Sequence, residues 1–295
     1  MTATPRLAVA LGDGGDPALA RELAARLALP LLPEPGDDLD LLLLVDGAGP
    51  ALLPLGPGAS GPVRCRFDDG TLRHRRRGGH NEPIGRALAV GRMPGARIID
   101  GTGGFARDAF VLADLGATVT VCERQPVLAA LLAEAIASAA AGDDPWLREV
   151  AGRLELVPAD VRSLPVATLA AADALYLDPM FPVAGKRAAS GKAMTVLQYL
   201  LGGHDDQDKD KNKNKSKNKN KNKDKDEAAA AALVDWALAQ PVRRVVVKRP
   251  RRAPPLGERA PSHSLPGRAV RFDVYPNPNA KPKTNTETNP ETDAG

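Results

Sequence analysis

Apolar runs in the second part of the chain come in two lengths, and the two alternate. Residues 96–100 (Ala-Arg-Ile-Ile-Asp) read as a strand, 105–115 as a helix, 118–122 as a strand and 126–141 as a helix with Pro126 at its start. Further strands are expected at 153–157, 174–177 and 244–248, a short helix at 85–90, and an antiparallel closing strand at 269–275. Strand–helix alternation of this length predicts an α/β fold built on a doubly wound, mostly parallel sheet. Such sheets bind ligands at the carboxyl ends of their strands, so chemistry is expected in the loops that follow them.

The first part of the chain reads as a smaller unit. Residues 7–10 and 41–45 are strand-like, and 17–27 is a helix with Asp16 as N-cap and Pro17 at the first helical position. Residues 63–67 and 71–74 are expected to form a hairpin across Asp68-Asp69-Gly70. The predicted division is a small N-terminal α/β subdomain over 1–80 and a Rossmann-like domain over 81–276. Residues 205–227 are Lys-Asn repeats flanked by Asp, without an apolar residue, and are expected to be a disordered insertion. The polar, Pro-rich residues 277–295 are expected to be a disordered tail.

Composition narrows the class. The 295 residues carry a formal charge of +4, so local clusters of Arg matter more than the sum. Cys65 and Cys122 form neither a zinc spacing nor a disulfide framework. His74, His80, His204 and His263 show no metal spacing, and no metal is expected. The apolar run 41–45 is far too short to span a bilayer. A cytoplasmic protein without a membrane partner is the expectation.

Two acids and a glycine turn outline a cofactor pocket. Asp100 ends the first strand of the larger domain, and Gly101-Thr102-Gly103-Gly104 leads into a helix. The glycines permit a tight turn and a close ligand approach. Glu123 ends the next strand, where an acid accepts hydrogen bonds from ribose hydroxyls. Dinucleotide enzymes and S-adenosylmethionine methyltransferases share these features. The spacing is not G-x-G-x-x-G, and no P-loop occurs. Asp160 follows the third strand, where a polar side chain meets an adenine amino group. These points favour S-adenosylmethionine.

The fourth strand delivers Asp178-Pro179-Met180-Phe181-Pro182. Here the carboxylate can accept a hydrogen bond from the amino group of a planar base, with help from a backbone carbonyl of the Pro179 turn. Phe181 can stack on the ring, and the prolines stiffen the loop. The competing reading makes Asp178 a helix cap and Phe181 a core residue. Two basic clusters flank the domain: Arg73-His74-Arg75-Arg76-Arg77 and Lys248-Arg249-Pro250-Arg251-Arg252. Either is a solvated surface or a grip on RNA phosphates, and the pair favours nucleic acid. Arg75, Arg76, Arg77, Lys248 and Arg249 are the expected contacts.

Taken in order, these blocks resemble a known family. His74-Arg75-Arg76, Gly78-Gly79, residues 103–113, Glu123-Arg124-Gln125-Pro126-Val127, Leu177-Asp178-Pro179-Met180-Phe181-Pro182 and Val245-Val246-Val247-Lys248-Arg249-Pro250 are similar to the RsmJ family of bacterial small-subunit ribosomal RNA guanine-N2 methyltransferases. The resemblance runs from about residue 64 to 276, and its last two blocks are the specific ones. It implies a class I S-adenosylmethionine methyltransferase fold, and methylation of a guanosine N2 near the 3′ end of 16S rRNA, free or in the small ribosomal subunit. It implies cofactor contacts at Arg107, Asp108, Glu123, Arg124, Asp160, Val161 and Asp178. The family's third-strand loop commonly carries two small hydroxyl residues where this chain has Asp160-Val161, and its glycine turn also differs slightly. Alternative readings are methylation of an adenine amine or a protein amide, a nicotinamide-dependent oxidoreductase, and an RNA-binding protein without catalysis.

Overall fold

The computed structural model of the protein describes residues 5–33, 38–56, 59–77, 82–93, 95–179, 196–197, 200 and 215–277. A first sheet comes from β1 (Leu7–Leu11), β2 (Leu31–Leu32), β3 (Leu41–Asp46) and β4 (Gly49–Pro54), in the order β2-β1-β3-β4. β1 runs parallel to β2 and β3, and β4 returns antiparallel on β3. The two prolines of β4 are tolerated because β4 is an edge. α1 (Pro17–Leu27) connects β1 to β2. Asp16 caps it by accepting from the Ala18 N–H at 2.7 Å.

Next come α2 (Gly70–Arg77), α3 (Pro83–Ala87), β5 (Arg97–Asp100), α4 (Arg107–Asp114), β6 (Thr118–Cys122), α5 (Pro126–Ala141), α6 (Pro145–Ala151), β7 (Leu154–Val157), α7 (Val166–Ala171) and β8 (Ala174–Leu177). α8 (Lys215–Leu238), β9 (Arg244–Pro250), β10 (His263–Pro266) and β11 (Val270–Pro276) complete the described elements. The second sheet has the order β10-β11-β9-β8-β5-β6-β7. Strands β5 to β9 pair in parallel, β11 is antiparallel to β9, and β10 is antiparallel to β11.

Alternation along these strands feeds two cores. Ile98, Val119, Val121, Ala174, Tyr176 and Val246 join a core with α4, α5 and α6, which extends to the first sheet through Leu41, Leu43 and Leu52. Ile99, Leu175, Leu177, Val245 and Val247 point the other way, against Leu169 of α7 and Ala230, Val234 and Ala237 of α8. Both faces of the sheet are therefore covered, as a doubly wound sheet requires. Among the described residues no helix is long and apolar enough to cross a membrane.

Several elements depart from expectation. The hairpin predicted across Asp68-Asp69-Gly70 is replaced by α2. Asp69 Oδ1 accepts from the Leu72 N–H at 2.9 Å, so the acidic turn starts a helix, and Leu72 is buried beneath it. Of the first predicted hairpin strand only Val63 pairs, in a single bridge with Leu52. The antiparallel strand expected at 269–275 is present as β11, and β10, which was not expected, pairs outside it. In the Lys-Asn stretch, expected to lack structure, the backbone is helical from Lys215 onward. The packed Ala-rich end of α8 supplies the nucleus, and extending a helix from a nucleus costs little per residue. Residues 205–214 and 278–295 lie outside the described residues.

Candidate active site

The glycine turn is stapled to the strands on either side of β5. The Gly101 N–H donates to the Tyr176 carbonyl of β8, and the Gly103 N–H to the Cys122 carbonyl of β6, each at 2.9 Å. Neither position has room for a side chain. A Cβ on Gly101 would lie 2.8 Å from Leu177 Cδ2 and 3.1 Å from Val161 Cγ2; one on Gly103 would lie 2.7 Å from Val121 Cγ1. Gly104 adopts φ +56°, in the left-handed region that favours glycine. Glu123 braces the turn: its carboxylate accepts from the N–H groups of Gly104 and Gln125, both at 2.7 Å. Burial raises the pKa of Glu123, and these bonds oppose the rise.

Beside the turn, carboxylates from two segments converge on one ammonium. Lys248 Nζ, on β9, donates to Asp178 Oδ2 at 2.7 Å and to Asp108 Oδ2 at 2.8 Å. Asp178 sits one residue beyond β8 and Asp108 in the first turn of α4. The Tyr176 hydroxyl donates to Asp108 Oδ2 at 2.7 Å. The Asp178 N–H donates to Thr102 Oγ1 at 2.7 Å, and Thr102 N–H donates to Asp100 Oδ1 at 3.0 Å. Parallel register explains the meeting. Leu177 stands beside Val247, so the next residues along, Asp178 and Lys248, are neighbours on the α4 side of the sheet.

The electrostatics follow from crowding. Asp100 is 2 % exposed. Its burial, with Asp108 and Asp178 nearby, pushes its pKa up to about 7 against the Thr102 hydrogen bond and Lys248. Asp178 lies deep among protein atoms yet keeps 40 % of its side-chain surface open. Burial raises its pKa, Asp108 adds to the rise, and Lys248 opposes it. For Lys248 burial acts downward, but the two carboxylates outweigh it and the net shift is upward. The ammonium therefore stays charged.

Other expected site residues are placed less centrally. Asp160 caps a short 3-10 turn, and both its oxygens accept from the Arg162 guanidinium, at 2.9 and 2.7 Å. That pairing and the turn's N–H hold its pKa down, at about 2. Arg124 approaches Asp160 at 3.8 Å and is largely exposed. Val161 is buried against Gly101. Arg107 pairs with Asp69, and Pro179 is buried. Phe181 lies outside the described residues, as do the side chains of Arg75 and Arg77. Arg73 and Arg76 lie over the ring of Trp146 at 5.2 and 5.0 Å. Both remain about half exposed.

Two expected phosphate contacts are corrected by the structure. Arg249 is 2 % exposed, and its guanidinium donates to the Pro254 carbonyl at 3.0 and 2.8 Å, holding the loop after β9. It points to the α8 side, 3.7 Å from Glu227. Lys248 is occupied by the two carboxylates. In the same loop it is Arg251 and Arg252 that are exposed. The ion cluster itself was missed from sequence. Its signal is parity: Tyr176 and Asp178 share a face, as do Val246 and Lys248, and the register superimposes the two.

Comparison with known proteins supplies an independent line. A family profile described as "Putative SAM-dependent methyltransferase" matches residues 23–223 and 223–277. The chain is 40 % identical over 260 residues to a ribosomal RNA small subunit methyltransferase J from Thioalkalivibrio sulfidiphilus, covering 87 % of this chain and 92 % of that protein. It is 39 % identical over 280 residues to the protein of the same name from Pseudomonas paraeruginosa, covering 93 % and 96 %. The crystal structure of a SAM-dependent methyltransferase from Neisseria gonorrhoeae superimposes with a TM-score of 0.66 at 27 % identity, over 92 % of this chain and 97 % of that one.

Proposed function

The chain belongs to the ribosomal RNA small subunit methyltransferase J family of S-adenosylmethionine-dependent enzymes with the class I, Rossmann-like fold, and from that premise we propose that its target is the exocyclic N2 of a guanosine near the 3′ end of 16S rRNA. The observation that carries this reading is the setting of Asp178: a carboxylate at the carboxyl end of a central strand, beside the glycine turn, with one oxygen committed to Lys248. Among the described residues the other oxygen, Oδ1, has no hydrogen-bond donor. We place the work in the cytoplasm, where ribosomal subunits are assembled.

The cofactor carries an ammonium, ribose hydroxyls and an adenine amino group, all donors, beside a cationic sulfur. Asp100, Glu123 and Asp160 stand at the carboxyl ends of β5, β6 and β7, so the chain offers a set of acceptors that fits the group. Bound there, S-adenosylmethionine supplies an electrophilic methyl carbon. Glu123 suits the ribose and Asp160 with Val161 the adenine, while Gly101 and Gly103 keep the backbone close. The exocyclic nitrogen of guanine is a poor nucleophile because its lone pair is delocalised into the ring. Asp178 Oδ1 accepts one of its N–H groups, orients the lone pair and stabilises the positive charge that develops. Exposed Arg73, Arg76, Arg251 and Arg252 are suited to RNA phosphates, with Arg75 and Arg77 on the same helix.

Gly103→Ala tests the pocket. The added methyl meets Val121 and the Cys122 carbonyl, and overpacking of this kind costs about 1–3 kcal/mol. The expected result is a lower melting temperature together with weaker cofactor binding in calorimetry. Wild-type affinity in a folded Gly103→Ala protein would remove the turn from the pocket. The target is tested with methyl-labelled cofactor, 30S subunits, naked 16S rRNA and DNA, followed by nucleoside mass analysis. N2-methylguanosine is expected. Label in adenosine or in ribosomal protein would overturn the assignment.

A further inference from the structure

The Lys248 ammonium is a cation in a place where a carboxylate has to stay ionised, and the proposed chemistry does not yet use it. Among the described residues, four groups face Asp178 from the surrounding elements. Asp108 comes from α4, Asp100 from β5, Tyr176 from β8 itself and Lys248 from β9. Two of the four are carboxylates and Tyr176 is a neutral phenol, and among the described residues only Lys248 brings positive charge. Tyr176 and Lys248 both donate to Asp108 Oδ2, so Asp108 in turn fixes where the ammonium sits.

We propose that Lys248 is a positioning residue for methyl transfer: it clamps Asp178 Oδ2 so that Oδ1 is presented, oriented and ionised, to the substrate amine. This deepens the assignment of Asp178 above and rests on it. During transfer the amine nitrogen gains the methyl carbon as the carbon–sulfur bond breaks, which leaves a neutral thioether. The nitrogen then releases one proton to Asp178 Oδ1 and on to water. Lys248 keeps its proton throughout, and the Asp178 N–H bond to Thr102 holds the backbone while the clamp holds the side chain.

The clamp has a signature that a phosphate contact lacks. Among the described residues, removing the ammonium leaves Asp178 beside two carboxylates and a neutral phenol, which favours its protonated form. The acidic limb of the kcat–pH profile then moves to higher pH, because the carboxylate must be ionised to accept the amine proton. In Lys248→Met and Lys248→Gln that limb is expected to shift upward by at least about one pH unit, the least that a close opposite charge contributes. At neutral pH kcat falls roughly 100-fold, as expected for a misaligned reacting group, with KM for RNA little changed. Lys248→Arg, which restores a cation, moves the limb back toward the wild-type position. If either neutral variant folds and keeps the wild-type limb and kcat, or changes only KM for RNA and its salt dependence, the proposal is overturned. If both neutral variants fail to fold, the decision falls to Lys248→Arg alone. Arginine cannot sit as a point charge between two carboxylates, so a reduced kcat with a wild-type limb supports the clamp, and unchanged kcat with raised KM overturns it. Asp178→Asn run in parallel separates the two levels: an active Asp178→Asn sinks the assignment of Asp178, whereas an inactive one beside an unaffected Lys248→Met sinks the clamp alone.

Discussion

Replacing Asp178 by alanine is expected to lower kcat by roughly 1,000-fold while leaving the fold intact. The rate loss is that of removing a preorganised group aimed at developing charge, about 10²–10³-fold, with the loss of the proton acceptor added to it. The fold survives because the bonds made by Asp178 that matter for structure are not those of its side chain. Its N–H donates to Thr102 Oγ1, and alanine keeps that N–H. Lys248 retains Asp108 as a partner, so the substitution does not strand a buried charge. Single-turnover methyl transfer, read beside a thermal melt, checks both halves. Turnover close to wild type would remove Asp178 from the chemistry.

The largest structural effect is expected at Phe110. Its ring is 1 % exposed, stacked on Phe67 at 4.6 Å and edge-on to Trp146 at 5.5 Å. Phe110→Ala removes both contacts and opens a cavity, at a cost of about 3–5 kcal/mol. That corresponds to a fall in melting temperature of roughly 6–20 °C for a chain of this size. The loss reaches function through Trp146. This ring carries Arg73 and Arg76 on its face, and its indole N–H donates to Asp114 Oδ1 at 2.7 Å. Loosening it frees α2 and the arginines suited to phosphate. The variant should therefore bind RNA less tightly even below its melting point, whereas Phe110→Leu keeps most of both properties. A melt within two or three degrees of wild type would show that the aromatic cluster is not the joint described here.

Local pattern and long-range pairing divide what the sequence revealed from what it hid. The central strands were legible because Ile98-Ile99, residues 174–177 and Val245-Val246-Val247 are unbroken apolar runs, and both faces of the sheet are covered. α5 was legible from Gln125-Pro126, where the Gln125 side chain caps the helix. α6 begins with the same kind of signal, Asp144-Pro145, but it is short and was passed over. The hairpin over 63–74 failed because Asp68-Asp69-Gly70 serves equally as a turn and as a helix start. Burial of Leu72 and the stacking of Arg73 and Arg76 on Trp146 decided for the helix. The glycine turn, Glu123 and Asp178 were readable because each sits next to the strand it follows. Arg249 misled because a basic run reads as one surface, whereas in a strand neighbouring residues face opposite ways. Lys248 and Arg249 therefore serve two different sides of the sheet, and only the register says which.

The place of β9 in the second sheet bears on how the enzyme comes into being. β9 lies between β8 and β11, yet it follows β5, β6, β7 and β8 in the chain and is synthesised after them. Until residues 244–276 leave the ribosome, β8 is an unprotected border of the growing sheet, open to pairing with other chains. Lys248 arrives with the strand that seals that border, so shelter for the nascent sheet and the last charge of the reaction centre come in one step. A protein that methylates ribosomal RNA thus lacks the ion cluster around Asp178 until β9 has been made.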